Sequence, residues 1–162
     1  MKCITLTAPW SWLIAANLKT VETRSWRTNH RGLLGIHTAQ SLAPIGGEAG
    51  LLEVCRRPWF RESLIVMGIT KPLAVPRGVI CGVCSVRDVR PTGELLSEIE
   101  AMELAFGDYS PNRYGWLLDG CARLTTPIKA KGAQGLWTWG DELPTVAIPT
   151  TDRRSAKLPL FA

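Results

Sequence analysis

Val79 to Val89 is a β-branched run, apolar on both faces at its start. Such a run extends as a strand, and the fold must cover both of its faces there. Cys3 to Thr7, Leu33 to Thr38 and Tyr114 to Leu124 read as further strands, the last alternating Tyr114, Trp116 and Leu118 against Leu117, Asp119 and Cys121. Leu136 to Trp139 and Val146 to Ile148 add two short ones. Pro9 opens a helix whose Trp10, Leu13, Ile14 and Leu18 share a face, and Asn17 is suited to end it. Glu94 to Phe106 predicts one helix with Leu95, Ile99, Met102 and Phe106 inward and Glu94, Glu98, Glu100 and Glu103 outward. Residues 41–76 carry glycines, two short helical stretches (Leu51 to Arg57, Phe60 to Met67) and the closing prolines Pro72 and Pro76. Strands in this Gly- and Pro-punctuated order predict an α+β domain, a small mixed β-barrel with two to four flanking helices.

A length of 162 residues favours one domain over residues 1–149, with a helical insertion at about 41–76 and a flexible basic tail over 150–162. Apolar residues make up 46% of the chain, enough for a sizeable core, and seven are tryptophans, large anchors for cores and interfaces. The formal charge is +5, of which Arg153, Arg154 and Lys157 against Asp152 leave +2 in the tail. Clustering of the cations therefore matters more than the total. The first residues reach Pro9 without a long apolar stretch, so no signal peptide is expected, nor any membrane span. Five scattered cysteines fit free thiols in a reducing cytoplasm better than a disulfide framework.

Lys19 to Arg31 is polar, basic and aromatic at once. Glu22 lies three residues beyond Lys19, and a turn would let the two pair. In a half-dry cleft such a pair can hold a ligand or move the lysine's pKa towards neutrality. Arg24, Arg27 and Arg31 supply guanidinium forks for phosphate, and Trp26 a face for a base. On residue types alone, a solvated basic hairpin with a structural ion pair explains the stretch equally well.

The segment Leu6-Thr7-Ala8-Pro9-Trp10-Ser11-Trp12-Leu13-Ile14, followed by Asn17-Leu18-Lys19-Thr20-Val21-Glu22-Thr23-Arg24-Ser25-Trp26, resembles the opening of ASCH domains, whose signature is Gly-x-Lys-x-x-Glu-x-Arg. The resemblance continues through Arg31-Gly32-Leu33-Leu34-Gly35-Ile36-His37-Thr38-Ala39, Arg77-Gly78-Val79-Ile80-Cys81-Gly82, Gly107 to Trp116 and Pro127 to Trp137. It implies a PUA-like barrel, a fold associated with RNA and modified bases, with Lys19, Glu22 and Arg24 lining a cleft beside the first helix. Some small relatives are amidohydrolases on an acetylated cytidine with lysine at the Lys19 position, but they carry Thr where this chain has Glu22. One larger relative resembles a metal-dependent single-strand ribonuclease. Asn17 stands where the motif has glycine, and Ala8 where glutamine is frequent.

Elsewhere, Arg113 and Tyr114 stand at a strand entrance where they could meet the Lys19 cleft, and Lys129, Lys131 and Gly132 form a basic loop able to wrap a phosphate. His37, on a buried strand, reads as a satisfied core histidine, and His30 as a loop residue. Cys81 and Cys84 point to opposite faces of a regular strand and read as small core residues. The tail segment Leu158-Pro159-Leu160-Phe161 is similar to linear peptides that dock on bacterial sliding clamps, or packs back on the domain.

The expected function is RNA or nucleotide binding by Arg24, Trp26, Arg27, Arg31, Arg113, Tyr114, Lys129 and Lys131. The alternatives are a hydrolase with Lys19 and Glu22 as catalytic residues, and an adaptor acting through the tail. No resident cofactor or metal site is expected; a divalent cation enters only with the ribonuclease reading.

Overall fold

The computed structural model describes residues 1–140 and, as backbone, 147–149. The tail called over 150–162, with its Leu158-to-Phe161 motif, lies outside the described residues. Strands β1 (Lys2–Leu6), β2 (Val21–Arg24), β3 (Gly32–Thr38), β4 (Val79–Pro91), β5 (Tyr114–Lys129), β6 (Leu136–Thr138) and β7 (Ala147–Pro149) form one mixed sheet. Its order is β2-β5-β4-β3-β1-β6, with β7 also paired to β5. β1 and β3 pair parallel, and among the described residues the other ladders are antiparallel. The sheet curls into a half-barrel, the PUA-like α+β architecture expected from the sequence. Register shifts help it bend: one in β3–β4 at Ile36/His37 and three along β4–β5.

Helix α1 (Trp10–Ala15) packs on β3, β4 and β5, with Ile14 and Ala15 in the main core beside Ile36, Val86 and Trp116. The close approach requires glycine opposite it: a Cβ on Gly82 would fall 2.7 Å from Ala15 Cβ and 2.8 Å from Ala122 O. The 41–76 segment supplies α2 (Gly47–Arg56) and α3 (Pro58–Val66), which cover the other sides of α1. Trp12 packs with Leu51, Cys55 and Leu64, and Leu13 with Val54, Phe60 and Phe106. One apolar face was expected for α1, but residues 11–15 are all buried, because the insertion occupies the side that would face water.

The helix expected over Glu94 to Phe106 is two short ones, α4 (Thr92–Leu95) and α5 (Ala101–Phe106), with Glu100 extended between them (φ −71°, ψ 154°). The break rotates α5, so Glu103 turns inward instead of outward and is buried. Cys81 and Cys84 both enter the main core, because the β4 register shifts after Ile80 and again after Val83 and so interrupts strict alternation. No disulfide joins the five cysteines, all of which are buried. No helix among the described residues is long and apolar enough to cross a membrane.

Candidate functional site

The Lys19–Arg24 stretch owes its shape to the end of α1. Asn17 takes the left-handed conformation (φ 57°), and the backbone N–H groups of Leu18 and Lys19 both donate to Leu13 O (2.9 and 3.1 Å). The chain leaves the helix there and enters β2, which pairs with β5 in the register Glu22↔Trp116 and Arg24↔Tyr114. Residues two apart on a strand share a face, so Glu22 and Arg24 lie side by side.

Four charges line up from the interior outward. Glu103 Oε1 is 3.7 Å from Lys19 Nζ, Lys19 Nζ is 3.7 Å from Glu22 Oε2, and Glu22 Oε1 is 3.7 Å from Arg24 Nη1. Side-chain exposure rises along the row, from 1% at Lys19 to 10% at Glu22 and 29% at Arg24. Lys19 also donates to Val21 O. Glu103 accepts from Thr20 N (2.9 Å), Thr20 Oγ1 (3.1 Å) and Val21 N (3.2 Å), which ties α5 to the start of β2. Burial raises the pKa of Glu22, against the opposing pull of Lys19 and Arg24.

Two cavities meet at Arg24. The larger, about 830 Å³, has Thr5 and Thr7 of β1 and His37 of β3 along its base. Arg24 and Trp26 form one wall, and the 129–135 loop brings Lys129, Lys131 and Gln134 to the other. Among the described residues, no carboxylate lines it. The smaller, about 380 Å³, shares Thr5, Thr7 and Arg24 and adds Glu22, Trp10 and Asp108. Trp26 is held edge-on by Trp116 (centroids 4.8 Å apart, planes at 83°), with the Arg24 guanidinium 5.7 Å from its ring centre.

Set beside known protein families, residues 4–125 match the ASCH domain. The chain belongs to the ASCH domain family. Among curated proteins, none matches it.

The structure of this ASCH domain sorts the residues singled out from the sequence. Arg24, Trp26, Lys129 and Lys131 line the larger cavity together. Glu22 lines the smaller one, whereas Lys19 lines neither and stands behind Glu22. Arg27 is exposed in the segment after β2, outside both linings. Arg31 is engaged on the surface by Asp88 (3.2 Å) and by the carbonyls of Thr28 and His30. Arg113 and Tyr114 line a further hollow of about 450 Å³ with Pro91 and Tyr109. Both also border the smaller cavity's wall: Tyr114 pairs with Arg24 across β2–β5, and the Arg113 guanidinium is bound to Asp108 (3.3 Å) and Thr23 O (3.3 Å).

Residues that the sequence reading did not assign to the site also stand in or beside it in this ASCH domain. Glu103 was assigned to solvent by helical periodicity, and Thr5, Thr7, Gln40 and Gln134 carry no local signal of function. His37 is buried as expected, yet it borders the larger cavity. Among the described residues, no group of three or more His, Cys, Asp or Glu side chains could hold a metal ion.

Proposed function

We propose that this ASCH domain binds single-stranded RNA or a nucleotide in the larger cavity. One observation carries the reading: Arg24, Lys129 and Lys131 surround a space of about 830 Å³ that also presents the Trp26 indole and, among the described residues, has no carboxylate in its lining. Lys129 and Lys131, beside an Arg24 whose guanidinium is shared with Glu22, favour an anion. An indole beside them favours an anion that carries a flat ring. A single nucleotide fits comfortably in a space of this size, which lies within the ordinary range for ligand sites.

The test is the affinity of a labelled single-stranded RNA as a function of salt, measured by fluorescence anisotropy. Binding weakens with salt, and each phosphate-contacting lysine removed lowers the slope of log K against log salt by about 1. Unchanged affinity and slope in the Lys129→Ala/Lys131→Ala/Arg24→Ala protein would sink the reading.

A second reading, hydrolysis of RNA or of an acylated nucleoside, is favoured by the raised pKa of Glu22, which opens on the adjoining smaller cavity with Lys19 3.7 Å behind it. A carboxyl whose burial favours its protonated form is suited to act as a general acid. Glu22 then touches the substrate and Lys19 positions it. Incubation with acylated cytidines and with labelled single-stranded RNA, with and without Mn²⁺, looks for product; the absence of product in every mixture leaves binding alone.

A further inference from the structure

The base of the larger cavity holds hydrogen-bonding capacity that phosphate binding does not use. His37 is 2% exposed and lines that cavity. Its Nε2 lies 3.0 Å from Ala130 O, and a carbonyl oxygen only accepts, so Nε2 carries the proton. In the neutral ring the other nitrogen is then a bare acceptor. Burial favours this neutral form by holding the pKa of His37 below its usual value. Nδ1 is buried and has no partner. Trp137 meets the ring edge-on at 5.5 Å and holds its plane.

A donor stands beside this acceptor. Thr5 Oγ1 accepts from Trp137 Nε1 (3.0 Å), which leaves the hydroxyl's own proton to be given elsewhere. Gly132 brings the two together: a Cβ there would fall 2.6 Å from His37 Nδ1 and 2.6 Å from Thr5 Oγ1. An acceptor and a donor therefore border the position where every other residue would place a side chain.

We infer that His37 Nδ1 and the Thr5 hydroxyl read the edge of an unpaired nucleobase, His37 accepting from a base N–H while Thr5 donates to the neighbouring carbonyl or ring nitrogen. The inference rests on the nucleotide-binding reading above and adds an orientation to it. A phosphate dianion brings no proton for Nδ1, so the phosphate stays with Lys129, Lys131 and Arg24 and the base goes inward. The Watson–Crick edge of an unpaired base offers an N–H next to an acceptor. The pair thus selects a base over a bare anion, and an open edge over one whose N–H is blocked. Gly132 covers Nδ1 in the free protein, so insertion of the base displaces the backbone around Lys131 and Ala133.

The experiment compares uridine monophosphate, its N3-methyl derivative and ribose 5-phosphate by calorimetry on the full chain, for wild type, His37→Phe and His37→Gln. Wild type binds uridine monophosphate at least about tenfold more tightly than the N3-methyl form, the ratio expected when a buried acceptor is left unpaired. His37→Phe abolishes that ratio with the salt slope unchanged, and His37→Gln, whose amide oxygen can accept, restores part of it. In wild-type protein the ¹⁵N resonance of Nδ1 is pyridine-like and moves on adding uridine monophosphate but not ribose 5-phosphate. Equal wild-type affinity for the methylated and unmethylated nucleotides, or for ribose 5-phosphate, overturns the inference and leaves a general anion site. If wild type binds neither nucleotide nor single-stranded RNA, the underlying reading falls with it.

Discussion

Lys19 Nζ lies 3.7 Å from Glu103 Oε1, both side chains almost wholly buried, and the contact joins the end of α1 to α5. Lys19 also faces Glu22, so it stands between two carboxylates. Removing it takes a buried counter-charge from Glu103 and leaves Glu22 with Arg24 alone. Lys19→Met is expected to cost about 3–5 kcal/mol, as other broken buried pairs do. Arg27→Ala, at an exposed position, stays within about 0.5 kcal/mol. Urea unfolding of the two variants checks the contrast.

Glu22 imposes a pH dependence whose sign follows from its raised pKa. Between its ordinary 4.5 and the raised native value, the folded chain holds a proton that the unfolded chain has released. The Glu22 contribution to stability is therefore fully present below the ordinary value and is lost as pH rises to the native one. Stability of wild type relative to Glu22→Gln falls across that window and is level above it. Denaturant midpoints of both proteins from about pH 4 to pH 8 measure it, and a difference that rises with pH contradicts it.

Gly132→Ala forces a Cβ to within 2.5 Å of the His37 ring. The 129–135 loop has to shift, at a cost of about 1–3 kcal/mol typical of overpacking, and the cavity wall that carries Lys131 moves with it. Thermal unfolding and RNA affinity both drop. Gly93→Ala, where nothing lies within 4 Å of the added carbon, is the control and leaves both unchanged.

Trp26→Ala removes the aromatic face of the larger cavity. The expected loss is about 1–3 kcal/mol of binding free energy for each base that stacks there. Trp26→Phe keeps most of the affinity. Anisotropy titrations with single-stranded RNA give the values, and because Trp26 also packs on Trp116, the melting temperature of each variant is measured alongside.

Much of the fold was legible because it is written in short-range pattern. The β-branched run became β4, the alternation after Tyr114 became β5, and Asn17 ended α1 in the left-handed conformation its side chain tolerates. Strand β2 was harder to see: it lies at an edge of the sheet, and its residues read as a polar basic segment. The grouping of Lys19, Glu22 and Arg24 was legible too, because three residues within one turn and one short strand meet by local geometry.

What lay beyond the sequence are the relations set by distant pairing. Glu103 carries the same helical periodicity as its solvated neighbours, and only the break before α5 and the donors waiting at Thr20 and Val21 turn it inward. Arg24 and Lys131 share a cavity, while Arg113 is led to another hollow, because the β2–β5 and β4–β5 registers fix which ends of those strands meet. Residue types determined which chemistry this chain can offer, since charge, aromaticity and β-branching belong to the side chains themselves. Tertiary structure decided which of those groups face one another and which face water, since register and burial depend on contacts that no local window contains.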